Sequence, residues 1–181
     1  MTEFQLQPRL VGELLELHPL RPEDWEDLFA VACDPLIWEQ HPARNRYEEV
    51  VFKEFFRGAL ESGGALAAID RKTQKIVGSS RYVEHDPEKS QIEIGWTFLA
   101  RSHWGGYYNG EMKRLMLQHA FQFVDAVVFV IGSRNMRSQK AVQKIGAVEI
   151  GRVNKAYGGV VVENVVYRIA KSIYECGAQV R

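Results

Sequence analysis

Cysteine is nearly absent from this chain. Cys33 and Cys176 are the only two in 181 residues, and they stand too far apart for a metal-ligand spacing. That excludes a disulfide framework and leaves one bridge open; the simpler expectation is a reduced, cytoplasmic protein. Net charge is absent too. Lys plus Arg equals Asp plus Glu at 23 each, so the whole chain offers no electrostatic footprint for nucleic acid or an anionic membrane. Any anion site has to be local. No apolar run approaches the ~20 residues that cross a bilayer. The opening MTEFQLQPRL lacks a basic region followed by an apolar run, so no secretion signal is expected. Repeats, linkers and low-complexity segments are missing, and a single domain over 1–181 with a substantial core is expected.

What is present is a strand, a glycine-rich turn and a helix in succession over 91–117, QIEIGWTFLARSHWGGYYNGEMKRLML. Ile92, Ile94 and Trp96 alternate with Glu93, Gly95 and Thr97, a period of two that predicts a strand. Trp104-Gly105-Gly106-Tyr107-Tyr108-Asn109-Gly110 supplies the permissive residues of a tight turn. From Glu111 the spacing turns helical, with Met112, Leu115, Met116, His119, Ala120 and Phe123 on one face. Asn109 is placed to cap this helix, and Glu111 suits its positive end. A helix start behind small residues leaves backbone N–H groups free, which makes it a ready anion site.

Around this unit, a strand is predicted over 15–20 and a helix from Arg21-Pro22 to Ala32, with Trp25, Leu28, Phe29 and Ala32 inward. Residues 36–46 read as irregular, and 48–62 as a helix ended by Gly63-Gly64. Residues 65–70 and 75–84 make a hairpin. The run AVVFVI at 126–131 suits a strand buried on both faces. A short helix over 137–145 closes at Gly146, and 147–153 with 160–170 flank a turn at Gly158-Gly159. The residues from Lys171 onward read as a frayed tail. One βαβ unit among antiparallel hairpins predicts an α+β fold: a mixed, mostly antiparallel sheet with one parallel crossover and helices on both faces. The turns at 101–110 and 132–138 then open on one crevice.

Five pieces occur in a familiar order: LHPLRPEDWEDLF, KIVGSSRYV, IEIGWTFL, WGGYYNGEMKRLML and NMRSQKAVQKIGA. Together they resemble the GNAT acyl-CoA N-acyltransferases, particularly the branch of the ribosomal-protein N-terminal acetyltransferases, over about residues 13–171. The resemblance implies the acyl-CoA N-acyltransferase fold, acetyl-CoA as acetyl donor, no metal, and direct transfer to a primary amine. That amine would belong to a protein N-terminus or to a small molecule such as an amino acid, polyamine or aminoglycoside. A monomer or homodimer is implied, with no nucleic-acid or membrane partner. In this family a bulge splays the central strand from its parallel neighbour, and pantetheine lies in the gap. Here the exposed backbone groups would be those of Trp96, Thr97, Phe98 and Leu99. The pyrophosphate loop would run through Trp104, Gly105, Gly106, Tyr107, Tyr108, Asn109 and Gly110. Tyr107 stands where that loop usually has its central glycine, so Gly106 is expected to carry the unusual dihedral and Tyr107 a negative φ.

Each candidate residue has two readings. Glu93, on the strand lining the cleft, is a general base for the amine or a member of an ion pair. Asn135 and Ser138 match the family's Asn-x-x-Ser. By that likeness Asn135 would bind pantetheine or the loop and Ser138 would protonate the leaving sulfur, while helix capping serves both as well. Arg137, with Arg101, Arg134 and Lys140, supplies local positive charge for phosphates or simply faces solvent. Trp38 and His41 fall where the family shapes its acceptor site, or they cover the core. His85, His103 and His119 show no metal-ligand spacing, and His119 reads as a core histidine. A nucleotide P-loop is disfavoured because the turn lacks Lys-Ser/Thr. Two function classes stay open: an acetyltransferase without an acyl-enzyme, and a non-catalytic acyl-CoA sensor of the same fold.

Overall fold

The period-two segments pair into one eight-stranded sheet in the computed structural model, which describes residues 3–178. The strands are β1 (Leu10–Val11), β2 (Leu15–Pro19), β3 (Ala65–Asp70), β4 (Lys75–Asp86), β5 (Gln91–Leu99), β6 (Ala126–Gly132), β7 (Val148–Tyr157) and β8 (Val160–Ala170). Their order across the sheet is β1-β2-β3-β4-β5-β6-β8-β7. β5 and β6 pair in parallel; the other neighbours are antiparallel. This is the expected α+β architecture, the acyl-CoA N-acyltransferase fold.

Alternation along the strands sorts the core into two layers. Ala65, Ala67, Ile76 and Phe98 face α1 (Trp25–Ala32) and α2 (Glu49–Glu61), meeting Leu28, Phe52 and Phe56. Leu66, Ile92, Ile94, Val127 and Phe129 face the other way. They meet Met112 and Met116 of α3 (Tyr107–Ala120) and Val142 of α4 (Met136–Lys144). His119 is a core histidine, as expected, with Nε2 2.7 Å from the Gln5 carbonyl.

Three expectations need correction. α3 starts at Tyr107 rather than Glu111, so Asn109 lies inside the helix and Gly106 takes the N-cap place. Gly105, with φ +74°, turns the chain early enough to allow this, a conformation that costs glycine little. Glu111 consequently sits past the first turn, where its buried carboxylate accepts the N–H groups of Glu13, Leu14 and Leu15 at 2.8, 2.8 and 2.7 Å. The chain from Lys171 is not a frayed tail. It forms α5 (Lys171–Ala178), held by the Lys171 N–H on the Asp125 carbonyl and by Tyr174 against Phe121, contacts that local composition does not reveal. Finally, β7 runs on to Tyr157, past the expected end at Val153, and its far end reaches the cavity described next.

Candidate active site

β5 and β6 share only three register pairs, Gln91↔Ala126, Ile92↔Val127 and Glu93↔Val128. Beyond them the strands part. β5 stays paired to β4 as far as Leu99, and β6 to β8 as far as Gly132. The facing edges of 94–99 and 129–132 therefore present backbone groups with no ladder between them. The cause lies in β5: a register shift between Ser79↔Phe98 and Arg81↔Gly95 puts an extra residue in that strand. Trp96 adopts φ +51° there, an unusual value for a bulky residue and one that marks functional sites. The bulge sends Trp96 toward α2 and leaves Thr97 toward α3, where its Oγ1 accepts from Lys113 Nζ at 2.6 Å.

At the mouth of the gap, a short 3-10 turn at Arg101–His103 leads into Gly105 and Gly106 and then α3. No side chain caps α3, so the first N–H groups of the helix, from Gly106 to Asn109, point outward without intrahelical partners. A Cβ built on Gly105, Gly106 or Gly110 meets nothing within 4 Å, which leaves the approach to these amides open. The positive φ belongs to Gly105 rather than the expected Gly106, which is extended at φ −152°. Tyr107 is helical, and its ring is 85% exposed, clear of the gap. Trp104 braces the turn by donating its indole N–H to the Leu99 carbonyl at 2.9 Å. The Arg137 guanidinium lies 3.9 Å from the Trp104 ring centre and donates to the Ile37 carbonyl, while Arg101 is paired with Asp34.

On the opposite, α2 side the gap opens into a cavity of about 480 Å³ lined by His41, Arg46, Phe55, Arg81, Glu93, Trp96, Lys155 and Tyr157, among others. Glu93 is 6% exposed and lies 3.3 Å from Lys155 Nζ. Burial pushes its carboxyl above the usual range, against the pull of Lys155. Gly95 makes room for it, since a Cβ there would stand 3.1 Å from Glu93 Oε1. The loop over the cavity is seated by Pro42 on Gly132, where a Cβ would meet the proline ring at 2.7 Å. Burial lowers Arg46 and Arg81 to about 10, and burial with the Arg46 charge lowers His41 to about 3.

This geometry, a splayed parallel pair between an open helix start and a cavity holding a buried carboxylate, coincides with a family assignment. The family model for the acetyltransferase (GNAT) domain matches residues 15–148. The chain belongs to the GNAT acetyltransferase family. No curated protein matches it. Among solved structures, a T. thermophilus protein classed as an acetyltransferase is 27% identical, with all of both chains covered and a TM-score of 0.82. A Vibrio cholerae protein classed as a ribosomal-protein-serine acetyltransferase is 16% identical, covering 90% of this chain and 97% of its own, with a TM-score of 0.76. The spermidine N-acetyltransferase of Vibrio cholerae, solved with CoA and spermine, is 15% identical, covering 91% and 99%, with a TM-score of 0.69. The latter two likenesses speak for the GNAT fold alone.

The GNAT candidates named from sequence are partly brought together. Glu93, Trp96 and His41 line one cavity. Trp38 does not; it is 2% exposed, donates its indole N–H to the Ala32 carbonyl and packs on Phe98, so it offers a ligand no surface. Asn135 is buried and caps α4 through its Oδ1, which accepts the Ser138 N–H at 3.2 Å. Ser138 is half-buried in that first turn. Sequence reading missed Arg46, Arg81, Lys155, Tyr157 and Lys113. A charged residue inside the apolar β4 segment was a usable signal for Arg81; Lys113, beside the α3 stripe, carried none.

Proposed function

We propose that this chain is an N-acetyltransferase moving the acetyl group of acetyl-CoA directly to a primary amine, with the acceptor held on the α2 side of the sheet. The observation that carries the reading is the gap between β5 and β6, open to the helix start on one side and to Glu93 on the other. Unpaired backbone groups of Trp96, Thr97 and Phe98 suit a pantetheine arm lying as a substitute strand. The amides from Gly105 to Asn109 suit its pyrophosphate. Asn135 would reach the arm with the amide nitrogen that its capping bond leaves over.

In this reading the amine nitrogen bonds to the acetyl carbon as the carbon–sulfur bond breaks. Glu93 takes the amine proton, which its raised affinity for protons favours. Ser138, in the first turn of the next helix, supplies a proton to the thiolate. Cys33 and Cys176, both exposed free thiols away from the gap, take no part, and a cytoplasmic setting fits them. Among the described residues no helix is long and apolar enough to cross a membrane.

A thiol-release assay with acetyl-CoA and a panel of amines tests the reading. Glu93→Gln is expected to lower turnover roughly 10²-fold, the loss easing at high pH where the amine deprotonates unaided. Failure of every amine in the panel to release CoA would favour an acyl-CoA sensor of the same fold.

A further inference from the structure

The cavity beside Glu93 holds positive charge that its own residues do not neutralise. Arg81 is 7% exposed; it donates Nη1–H to the Gly58 carbonyl at 3.2 Å, and its buried Nε has no partner among the described residues. Arg46 is 8% exposed, and among the described residues the only polar group within hydrogen-bond distance of it is His41 Nε2, 3.2 Å from Nη1. That contact is a poor one. The His41 ring is neutral, and its Nδ1 already accepts the Ala43 N–H at 2.9 Å, so the ring proton sits on Nε2 and faces the guanidinium. Neither arginine has a carboxylate within ion-pair distance among the described residues. The two acids that line the cavity are engaged elsewhere: Glu93 by Lys155, and Glu54 by Arg57 at 2.6 Å. Both guanidinium carbons lie over the same Phe55 ring, at 4.7 and 5.4 Å. An aromatic face offsets part of the cost of burying two like charges, but it is no counterion.

We infer that the acceptor brings the missing negative charge: it is a small amine carrying a carboxylate, an amino-acid-like zwitterion whose carboxylate is bound by Arg46 and Arg81. This rests on the transfer reading above for the role of the amine end. The register supports it, because Arg81 faces Gly95 and Val83 faces Glu93, which makes Arg81 and Glu93 diagonal neighbours on one face. Such neighbours stand ~7–8 Å apart. A carboxylate at Arg81 and an amine at Glu93 therefore belong to one small molecule. Phe55, Trp96 and Tyr157 leave aromatic walls for its side chain. A polyamine would add positive charge to a cavity that already has an excess.

The test compares three forms of the same amine with wild-type protein and acetyl-CoA: L-phenylalanine, its amide and phenethylamine, then the leucine series, with spermidine and an aspartyl peptide amide as further arms. The free carboxylates are expected to exceed their amides in kcat/KM by ~100-fold, since a site built for an anion rejects the analogue lacking it. In Arg81→Gln and Arg46→Gln that ratio should fall to within about threefold, mainly through KM. A higher rate for the aspartyl peptide amide than for the free amino acids would overturn the small-molecule acceptor and assign the carboxylate to an acidic N-terminal residue. Calorimetry of N-acetyl-L-phenylalanine against its amide, in the presence of CoA, reads the same preference without turnover. Amides or spermidine that match the carboxylates, in rate and in binding, overturn the inference while leaving acetyl transfer standing. Carboxylate-selective binding without any CoA release would do the reverse.

Discussion

A lysine ammonium has three N–H groups to satisfy, and Lys113 has one near acceptor, Thr97 Oγ1 at 2.6 Å, with the Phe129 ring 5.5 Å away. Burial lowers its pKa from 10.5 to about 7. The folded state therefore gives up this proton near pH 7, while the unfolded chain keeps it until about 10.5. Across that window the unfolded state binds more protons, so stability rises with pH, by up to ~1.4 kcal/mol per unit from this group. Below pH 7 both states are protonated and the cost of burying the charge is fully present. Lys113→Met should remove that part of the slope. Urea melts of both proteins at pH 7 and pH 9 check it; equal pH dependence in the two would refute the assignment.

At the scale of elements, one carboxylate ties α3 to the connection between β1 and β2, beside its core packing. Glu111 is buried, which alone would raise its pKa, yet three backbone amides and Arg114 hold it below the usual range. With the folded value depressed, its contribution is present above about pH 4.5 and is lost as pH falls through the folded pKa. Glu111→Gln keeps the shape but turns an NH2 group toward backbone donors, and a loss of about 2–3 kcal/mol is expected. Thermal melts at pH 7 measure it, and a change within ~0.5 kcal/mol would show the bridge to be dispensable. Gly12 belongs to the same contact, since a Cβ there would come within 2.5 Å of the carboxyl carbon. The buried stripe of this helix was legible in the spacing of Met112, Leu115, Met116 and His119. Its start was not. Asn109 is the better capping residue in isolation, and only the turn geometry at Gly105 and Gly106 moved the cap upstream.

For the whole molecule, a ligand filling the gap replaces the missing ladder between β5 and β6 and should stabilise the fold. Acetyl-CoA or CoA at about a hundredfold over its dissociation constant adds about 2.7 kcal/mol. A thermal scan with millimolar ligand reads this as a raised Tm, and an unmoved Tm would remove the gap as the donor site. By itself, the sequence determined most of the elements, the mixed sheet with its single crossover and helices on both faces, and, through the order of its motifs, the family; β1 and α5 were beyond it. Those properties are written in periods of two and 3.6 and in turn residues, each set within a few neighbours along the chain. Only the tertiary structure decided where β5 and β6 part, and that Arg46 from a loop, Arg81 from β4 and Lys155 from β7 meet around Glu93. Register, burial and the pairing of charges are sums over contacts between residues far apart in the chain, and no local pattern records them.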